Sequence, residues 1–353
     1  MAVYAKIKKR LGNFKLDVEF GSDNGTLGLL GASGCGKSMT LKCIAGIIKP
    51  DEGLIKVNDQ VLFDSKRGID LKPQERHVGL MFQNYALFPN MTLRENICSV
   101  LRHSSRSSET GRKFEELTDI LYLKGLEEHY PCQLSGGQQQ RAALARILAS
   151  GPQLIMLDEP LSALDSYLRW QVEQELSSAL ASFCGTTLYV SHNRDEVFRM
   201  CRKICVINEG RSEKVCTAEE LFSAPSSFSA AMLSGCRNYS RIVRINEKRV
   251  HALDWKTELT CKEANDDIRY VGVRSHHIIP GCKNGNNTLQ CRITKISRDV
   301  FFTSVILLPV NCDKKEDLSY IRMDLPNSDT RPISEGQLIT VSIGEEDIIL
   351  LTA

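Results

Sequence analysis

The chain has 353 residues, a length that favours two domains over one. Hydrophobic residues make up 42% and charged residues 25%, as in ordinary globular proteins. A formal net charge of +2 gives no electrostatic reason to expect nucleic acid as the main ligand. No apolar stretch approaches the roughly 20 residues that a membrane helix needs, and the basic start MAVYAKIKKRLGNF lacks the apolar core of a signal peptide. We therefore expect a cytosolic protein.

The first two thirds of the chain alternates short apolar runs with helical patterns, which is typical of a parallel α/β sheet. Apolar strands are predicted at residues 26–30, 154–157 and 188–190, and each is followed by a glycine-rich or polar segment. Apolar residues recur at helical spacing over residues 112–123 and 166–180.

After about residue 225 the pattern changes to short β-type runs separated by turns such as KNGNN and PNSD. The predicted strands are residues 241–245, 269–273, 289–296, 301–308 and 338–342. No long helix is evident there, so we expect a small all-β barrel or sandwich.

Thirteen cysteines are a high count, but none forms the C-x-x-C pair of a structural zinc site. Cys201 and Cys205 are one helical turn apart, and the others are scattered through apolar runs. Because a free cysteine packs as a small hydrophobic side chain, we expect most of them in the core.

The segment GASGCGKS follows the first apolar strand and satisfies the phosphate-loop pattern G-x-x-x-x-G-K-[ST]. Its glycines let successive backbone N–H groups point at phosphate oxygens, and a helix starting near Lys37 adds its positive dipole end. Lys37 is expected to reach the β- and γ-phosphates, while the Ser38 hydroxyl holds Mg²⁺. The predicted nucleotide-binding residues here are Gly31, Ala32, Ser33, Gly34, Cys35, Gly36, Lys37, Ser38 and Met39.

A second apolar strand ends in Asp158, Glu159 and Pro160. The strand is predicted to deliver Asp158 beside the phosphate loop, where its carboxylate can hold Mg²⁺. Glu159 can then polarise a water molecule that attacks the γ-phosphate. Such a pair after a strand is ordinarily interpreted as part of a solvated turn. The phosphate loop upstream makes a catalytic role the better interpretation here.

The segment LSGGQ starts at Leu134, and its serine can cap a helix predicted over residues 138–148. It resembles the signature motif of ATP-binding cassette (ABC) proteins. The resemblance implies that Ser135, Gly136, Gly137 and Gln138 close over the ATP of a second, head-to-tail subunit. It also implies that ATP is hydrolysed with Mg²⁺.

Three further residues match motifs of the same family in its order. Gln83 matches the Q-loop glutamine, which is implied to contact Mg²⁺ and the attacking water. Asp165, in SALD, matches the D-loop that crosses the dimer, and His192 matches the switch histidine that contacts the γ-phosphate. For the aromatic residue that stacks on adenine, Phe14 is the candidate and Tyr4 the competitor.

The fold implied by this resemblance is an α/β P-loop NTPase, with a RecA-like core and a helical subdomain, followed by a small all-β domain of OB or TOBE type. The ATP-binding domain is predicted over residues 1–232, with the helical subdomain at about residues 88–150. The C-terminal β-rich regulatory domain is predicted over residues 233–353.

Residues 87–97 (LFPNMTLRENI) resemble the cassettes that serve binding-protein-dependent importers, in which this region receives a helix of the membrane subunit. The segment GVRSHHI resembles a GVRPE-type motif of their regulatory domain, with Ser275 and His276 in place of Pro and Glu. His276 and His277 are adjacent. On a strand they would point to opposite faces, so no shared metal is expected.

The implied partners are a second copy of the chain, transmembrane permease subunits and, indirectly, a substrate-binding protein. The implied location is the cytoplasmic face of the cell membrane. The LGNF run near the start and the segment LSGCRNY resemble molybdate-import ATPases. We therefore favour molybdate or tungstate as the solute, with sulfate, polyamine, iron and sugar importers as alternatives.

Three other classes of protein are alternatives. Soluble ABC ATPases of DNA repair or translation typically carry coiled-coil insertions or two cassettes, and exporter halves are normally fused to membrane helices. A regulatory module without turnover would not need Glu159 and His192. In some molybdate cassettes the β domain binds oxyanion and inhibits transport, and by resemblance the same role is a hypothesis for the β domain here.

Overall fold

The computed structural model describes residues 2–82, 84–101, 107–162, 166–181, 183, 185–281, 287–312, 317–329 and 331–352. Contacts within the chain divide it into two units, Met1–Ala218 and Glu219–Ala353. This division falls earlier in the chain than the boundary that the sequence predicts at residue 232.

The described part of the first unit forms one mixed twelve-stranded sheet with helices. Its strands are β1 Val3–Leu11, β2 Phe14–Ser22, β3 Gly25–Leu30, β4 Glu52–Val57, β5 Gln60–Asp64, β6 Ile69–Asp70, β7 Val78–Met81, β8 Leu154–Asp158, β9 Thr186–Ser191, β10 Lys203–Asn208, β11 Arg211–Ser212 and β12 Cys216–Thr217. Its helices are α1 Lys37–Ala45, α2 Leu93–Leu101, α3 Ser107–Ile120, α4 Gly136–Ala149, α5 Ser166–Ala181 and α6 Arg194–Met200.

Five strands of this sheet are parallel and lie in the order β10-β3-β9-β8-β7. The three central strands β3, β9 and β8 are buried over most of their length, as expected for strands covered on both faces. Since parallel strands end at one edge, the segments that follow β3, β7, β8 and β9 start side by side. Five further strands form an antiparallel extension in the order β6-β5-β4-β1-β2, which β11 joins to β10, and β12 also pairs with β10.

Most of the helices that the sequence predicts are present in the structure. α1 begins at Lys37, and α4 and α5 contain the predicted helical stretches. The helix predicted over residues 112–123 instead ends at Ile120, because Tyr122 adopts a left-handed conformation with φ of 52°.

The second unit contains two five-stranded sheets in its described part, and together they form a barrel-like all-β domain. Two short helices precede them, α7 Ala218–Ser223 and α8 Phe228–Leu233. The strands are β13 Asn238–Asn246, β14 Arg249–Ala252, β15 Thr257–Thr260, β16 Tyr270–Val273, β17 Ile278–Pro280, β18 Asn287–Arg298, β19 Phe302–Pro309, β20 Ile321–Pro326, β21 Leu338–Ile343 and β22 Ile348–Leu351. The sheets have the orders β15-β14-β13-β16-β22 and β17-β21-β18-β19-β20.

Apolar side chains from both sheets form one core, which includes the fully buried Trp255. Asn238 of β13 adds a polar link between the sheets. Its Nδ2 donates to the carbonyl oxygens of Val273 and Arg322, and its Oδ1 accepts from the Arg322 backbone N–H. The three hydrogen bonds satisfy this buried amide, and they fix how the two sheets are oriented against each other.

Candidate nucleotide-binding site

The phosphate loop lies between β3 and α1, at the shared edge of the parallel strands. Gly34 and Gly36 have φ of 80° and 109°, values that other residues rarely adopt. A Cβ on Gly31 would lie 2.2 Å from the carbonyl oxygen of Ile207. Ala32, Ser33 and Gly34 form the exposed crest of the loop, where their backbone can be approached by a ligand.

Lys37 is only 5% exposed, and its ammonium bends back into the loop. Nζ donates to the carbonyl oxygens of Gly31 at 2.7 Å and Ala32 at 2.9 Å. These acceptors are neutral, so they do not cancel the charge of the ammonium. A phosphate oxygen is a stronger, charge-assisted acceptor for the same group.

Ser38 and Asp158 meet although they are far apart in the chain. Ser38 Oγ donates to Asp158 Oδ1 at 2.9 Å. Burial raises the pKa of Asp158, and the hydrogen bond from Ser38 opposes that shift. A hydroxyl and a carboxylate are hard oxygen ligands that suit Mg²⁺, and a cation would relieve the cost of burying this carboxylate. The third predicted ligand, Gln83, lies outside the described residues.

Glu159 and His192 form a contact at the same edge. Glu159 Oε1 lies 3.1 Å from His192 Nδ1, with the two side chains 21% and 55% exposed. Glu159 has φ of 49°, and its backbone N–H donates to Val190 O at 2.9 Å. A carboxylate held on a strained backbone beside a phosphate loop is an arrangement that functional sites favour. The structure therefore brings together two residues that the sequence predicted separately.

The turn that presents His192 is held by neighbouring residues that the sequence analysis did not single out. Asn193 caps α6, with its Oδ1 accepting from the backbone N–H groups of Asp195 and Glu196. Ser191 Oγ donates to Glu196 Oε2 at 2.5 Å. An Asn just before a helix is a recognisable sequence signal for such a cap.

The signature motif forms the amino end of α4. Ser135 Oγ accepts from the Gln138 backbone N–H at 3.4 Å, and Gln138 Oε1 accepts from the Ser135 backbone N–H at 2.8 Å. This capping box agrees with the expected capping role of Ser135. A Cβ on Gly137 would lie 3.0 Å from Val172, so the second glycine permits close packing of α4 against α5. Asp165 lies outside the described residues.

The structure separates the two aromatic candidates for adenine. Phe14 opens β2, and its Cζ lies 3.2 Å from the position of a Cβ on Gly36, so its ring borders the phosphate loop. Tyr4 lies near the other end of the β1–β2 pair, and its hydroxyl donates to Glu19. The side chain of Met39 is half-buried and packs against the core.

The segment after Gln83 is organised by a buried asparagine in α2. Asn96 Nδ2 donates to the carbonyl oxygens of Phe88, Met91 and Thr92, and its Oδ1 accepts from the Phe88 backbone N–H. Arg146 of α4 lies over the Phe88 ring at 4.9 Å. Phe88 and Met91 nevertheless remain 48% and 36% exposed, so an apolar surface is left on this region.

His276 and His277 do not lie on a strand, so the expectation that they point to opposite faces was wrong. They sit in a 3-10 turn, Ser275–His277, and their ring centroids are 4.3 Å apart. His277 Nδ1 lies 2.9 Å from Asp347 Oδ1. Even so, no group of three metal-ligating side chains is found within the described ranges.

The buried cysteines among those described are Cys35, Cys43, Cys201, Cys205, Cys236, Cys261 and Cys291. They agree with the expected packing role. In the described part of the chain, no helix is long and apolar enough to cross a membrane.

Comparison with known proteins gives the family that the sequence motifs resemble. The family model described as ABC transporter matches residues 12–162. A sulfate/thiosulfate import ATP-binding protein of Chromobacterium violaceum is 40% identical over 283 residues, which cover 80% of this chain and 76% of that protein. A molybdenum import ATP-binding protein of Paramagnetospirillum magneticum is 35% identical over 219 residues, which cover 62% of this chain and 60% of that protein. Other relatives are named for Fe(3+) and for spermidine/putrescine import.

A solved dimeric structure of a bacterial ABC transporter cassette is 28% identical, with a TM-score of 0.51, and the match covers 61% of this chain and 98% of that one. These matches identify the chain as an ABC cassette with ATPase activity. The chain belongs to the ABC transporter family, among its ATP-binding subunits of importer type.

Proposed function

We propose that the chain is the ATP-hydrolysing subunit of an oxyanion importer, with molybdate or tungstate as the solute. The observation that supports the catalytic part best is the convergence of Lys37, Ser38, Asp158, Glu159 and His192 at one edge of the parallel strands. Such convergence matches the needs of phosphoryl transfer, in which positioning and electrostatic stabilisation do most of the work.

In this proposal the exposed crest of the phosphate loop and Lys37 bind the ATP phosphates, and the Phe14 ring stacks on adenine. Ser38 and Asp158, together with Gln83, would hold Mg²⁺. When bound, this ion neutralises charge on the phosphates. Glu159 accepts a proton from the attacking water, and His192 orients Glu159 while donating towards the γ-phosphate.

We propose that two copies act head to tail, so that Ser135, Gly136, Gly137 and Gln138 of one copy cover the ATP of the other, with Asp165 at the dimer interface. The amino end of α4 supports this role, since helix amino termini attract anions. ATP then favours the closed dimer because it contacts both copies only in that state. The solved relative described as a dimeric cassette agrees with such pairing.

The exposed side chains Phe88 and Met91 are proposed to contact a helix of the permease, on the cytoplasmic face of the membrane. Their exposure beside the hydrogen bonds of the buried Asn96 supports a docking role for this region. Import also requires a substrate-binding protein outside the cell, which the cassette would serve only indirectly.

The cassette itself need not touch the solute, so the choice of solute rests on sequence segments outside the catalytic motifs. LGNF and LSGCRNY favour molybdate, and a relative is named for molybdenum import. Sulfate is the second candidate, because a 40% identical relative is named for sulfate and thiosulfate import. Both are tetrahedral oxyanions of the same charge.

Uptake measurements test the function directly. Cells whose only copy carries Lys37→Ala are supplied in parallel with labelled molybdate, sulfate, spermidine, ferric iron and a sugar. We expect molybdate uptake to be lost, because Lys37→Ala removes the cation that binds the ATP phosphates. Uptake of the other solutes should persist. Lys49→Ala is the matched control, since Lys49 is 71% exposed.

Loss of a different solute would retain the importer and reject molybdate. Normal uptake of every solute would reject the transport role and favour a soluble ABC ATPase.

A further inference from the structure

Ser191, the last residue of β9, lies directly before His192 and is 2% exposed. Its hydroxyl makes two hydrogen bonds. Oγ donates to Glu196 Oε2 at 2.5 Å and accepts from the Asn193 backbone N–H at 3.0 Å. The hydroxyl therefore ties the backbone on both sides of His192 to a carboxylate on α6.

Glu196 is 4% exposed, and burial raises its pKa. Burying a carboxylate is costly unless it is well bonded, so its partners indicate what its presence achieves. Glu173, the other buried carboxylate nearby, forms two hydrogen bonds with Arg199 and so links α5 to α6. Glu196 instead accepts a short hydrogen bond from the residue next to His192, and its carboxylate also interacts with the Tyr189 hydroxyl and with Arg169.

The backbone of His192 is restrained from both directions as a result. Only His192 and Asn193 separate the end of β9 from the start of α6. Asn193 is fixed by capping α6, and Ser191 is fixed by Glu196. The imidazole that leaves this short turn reaches Glu159 at 3.1 Å.

We propose that Glu196 is a positioning residue for ATP hydrolysis, which acts through Ser191 to hold His192 against Glu159. The inference rests on the roles proposed above for Glu159 and His192. It assigns Glu196 no contact with ATP or with the attacking water. Its effect should appear in the rate of the chemical step and not in nucleotide binding, because the phosphate loop lies on other elements.

The test compares ATPase kinetics of Ser191→Ala and Glu196→Ala with those of the wild type in the full chain. We expect kcat to fall by about tenfold in each, since small displacements of a catalytic group slow chemistry strongly. KM for ATP should stay within about twofold, as expected when an interaction acts only in the transition state. The double variant should lose no more than either single variant, because both break one connection.

Conservative variants separate positioning from general stability. Glu196→Gln keeps an oxygen that can accept from Ser191, and we expect it to recover most of the lost kcat. Asp195→Ala is the matched control on the same helix, because the Asp195 side chain is 64% exposed and pairs with Arg194. It should retain the kcat of the wild type.

Wild-type kcat in folded Ser191→Ala would overturn the inference, as would additive losses in the double variant or equal damage in Asp195→Ala. Thermal melting identifies variants that do not fold, and if Glu196→Ala is among them Ser191→Ala still decides. Glu159→Gln is measured in parallel. If it hydrolyses ATP normally, the proposed catalytic roles fail. If it is inactive while Ser191→Ala and Glu196→Ala are normal, only the role of Glu196 fails.

Discussion

Glu159 is held in place by its own backbone before any ligand arrives. Its positive φ and its hydrogen bond to Val190 O fix where the side chain leaves β8, and His192 fixes where the carboxylate points. A non-glycine residue in this conformation stores strain of order 1–3 kcal/mol. The surrounding parallel strands supply the rigidity that sustains it.

Glu159→Gln tests this residue alone. The amide preserves size and shape but cannot accept the proton of water, so we expect hydrolysis to fall by about a hundredfold or more. ATP affinity should be unchanged, because Lys37 and the phosphate loop are intact. The closed dimer should then accumulate with ATP, which light scattering after size-exclusion chromatography would detect.

A Glu159→Gln variant that turns over ATP at the wild-type rate would contradict the role of Glu159 as general base. Loss of ATP binding in the same variant would contradict the separation of binding from chemistry.

At this scale the sequence predicted the chemical groups but not the residues that hold them. Asp158 and Glu159 were predicted from their strand-end position together with the phosphate loop upstream, and His192 from its match to the switch histidine of the family. Arg146, which donates to Ala86 O, could not be predicted because the two residues meet only when α4 packs against the segment after Gln83. The Glu196 contact with Ser191 is local, but its importance depends on where His192 points.

At the scale of elements, α4 depends on a cap that is also part of the proposed ATP site. Ser135→Ala removes half of the capping box, and we expect the free energy of unfolding to fall by about 1 kcal/mol. Urea denaturation followed by circular dichroism would measure this. ATP-dependent dimerisation of a Glu159→Gln background should also weaken, because the hydroxyl would no longer be available to the partner's ATP.

Ser178→Ala serves as the control for Ser135→Ala, since Ser178 is exposed within α5 and its hydroxyl donates to the carbonyl oxygen of Gln174 in the same helix. If Ser135→Ala lowered stability but left dimerisation unchanged, Ser135 would be a cap without a role at the partner's site.

The element bounds show what periodicity can and cannot predict. The helix at residues 138–148 and the strand at residues 26–30 were predicted nearly as they occur, because apolar spacing sets them. The end of α3 was placed too late, since the apolar pattern continues through a turn that the left-handed Tyr122 creates. A strand was predicted for the two histidines because they lie beside a short apolar run. A single 3-10 turn has no apolar pattern that distinguishes it from a strand.

At the scale of the whole molecule, each unit has its own hydrophobic core. We therefore expect calorimetry to resolve two unfolding transitions. ATP at 100 times its dissociation constant should stabilise only the transition of the first unit, by about 2.7 kcal/mol. Lys37→Ala should abolish that shift while leaving both transitions present.

A single cooperative transition would contradict this expectation. An equal shift of both transitions with ATP would contradict a nucleotide site confined to the first unit.

Short sequence patterns were sufficient to predict the chemistry proposed for this protein. Phosphate-loop glycines, a lysine, a strand-end carboxylate pair and a helix-capping LSGGQ are local patterns whose meaning depends on backbone conformation over a few residues. Which groups meet is known from the three-dimensional fold: Ser38 with Asp158, Glu159 with His192, and Phe14 rather than Tyr4 with the phosphate loop. These pairs depend on the order of strands in the sheet, which is set by long-range packing and hydrogen bonding that no local pattern encodes.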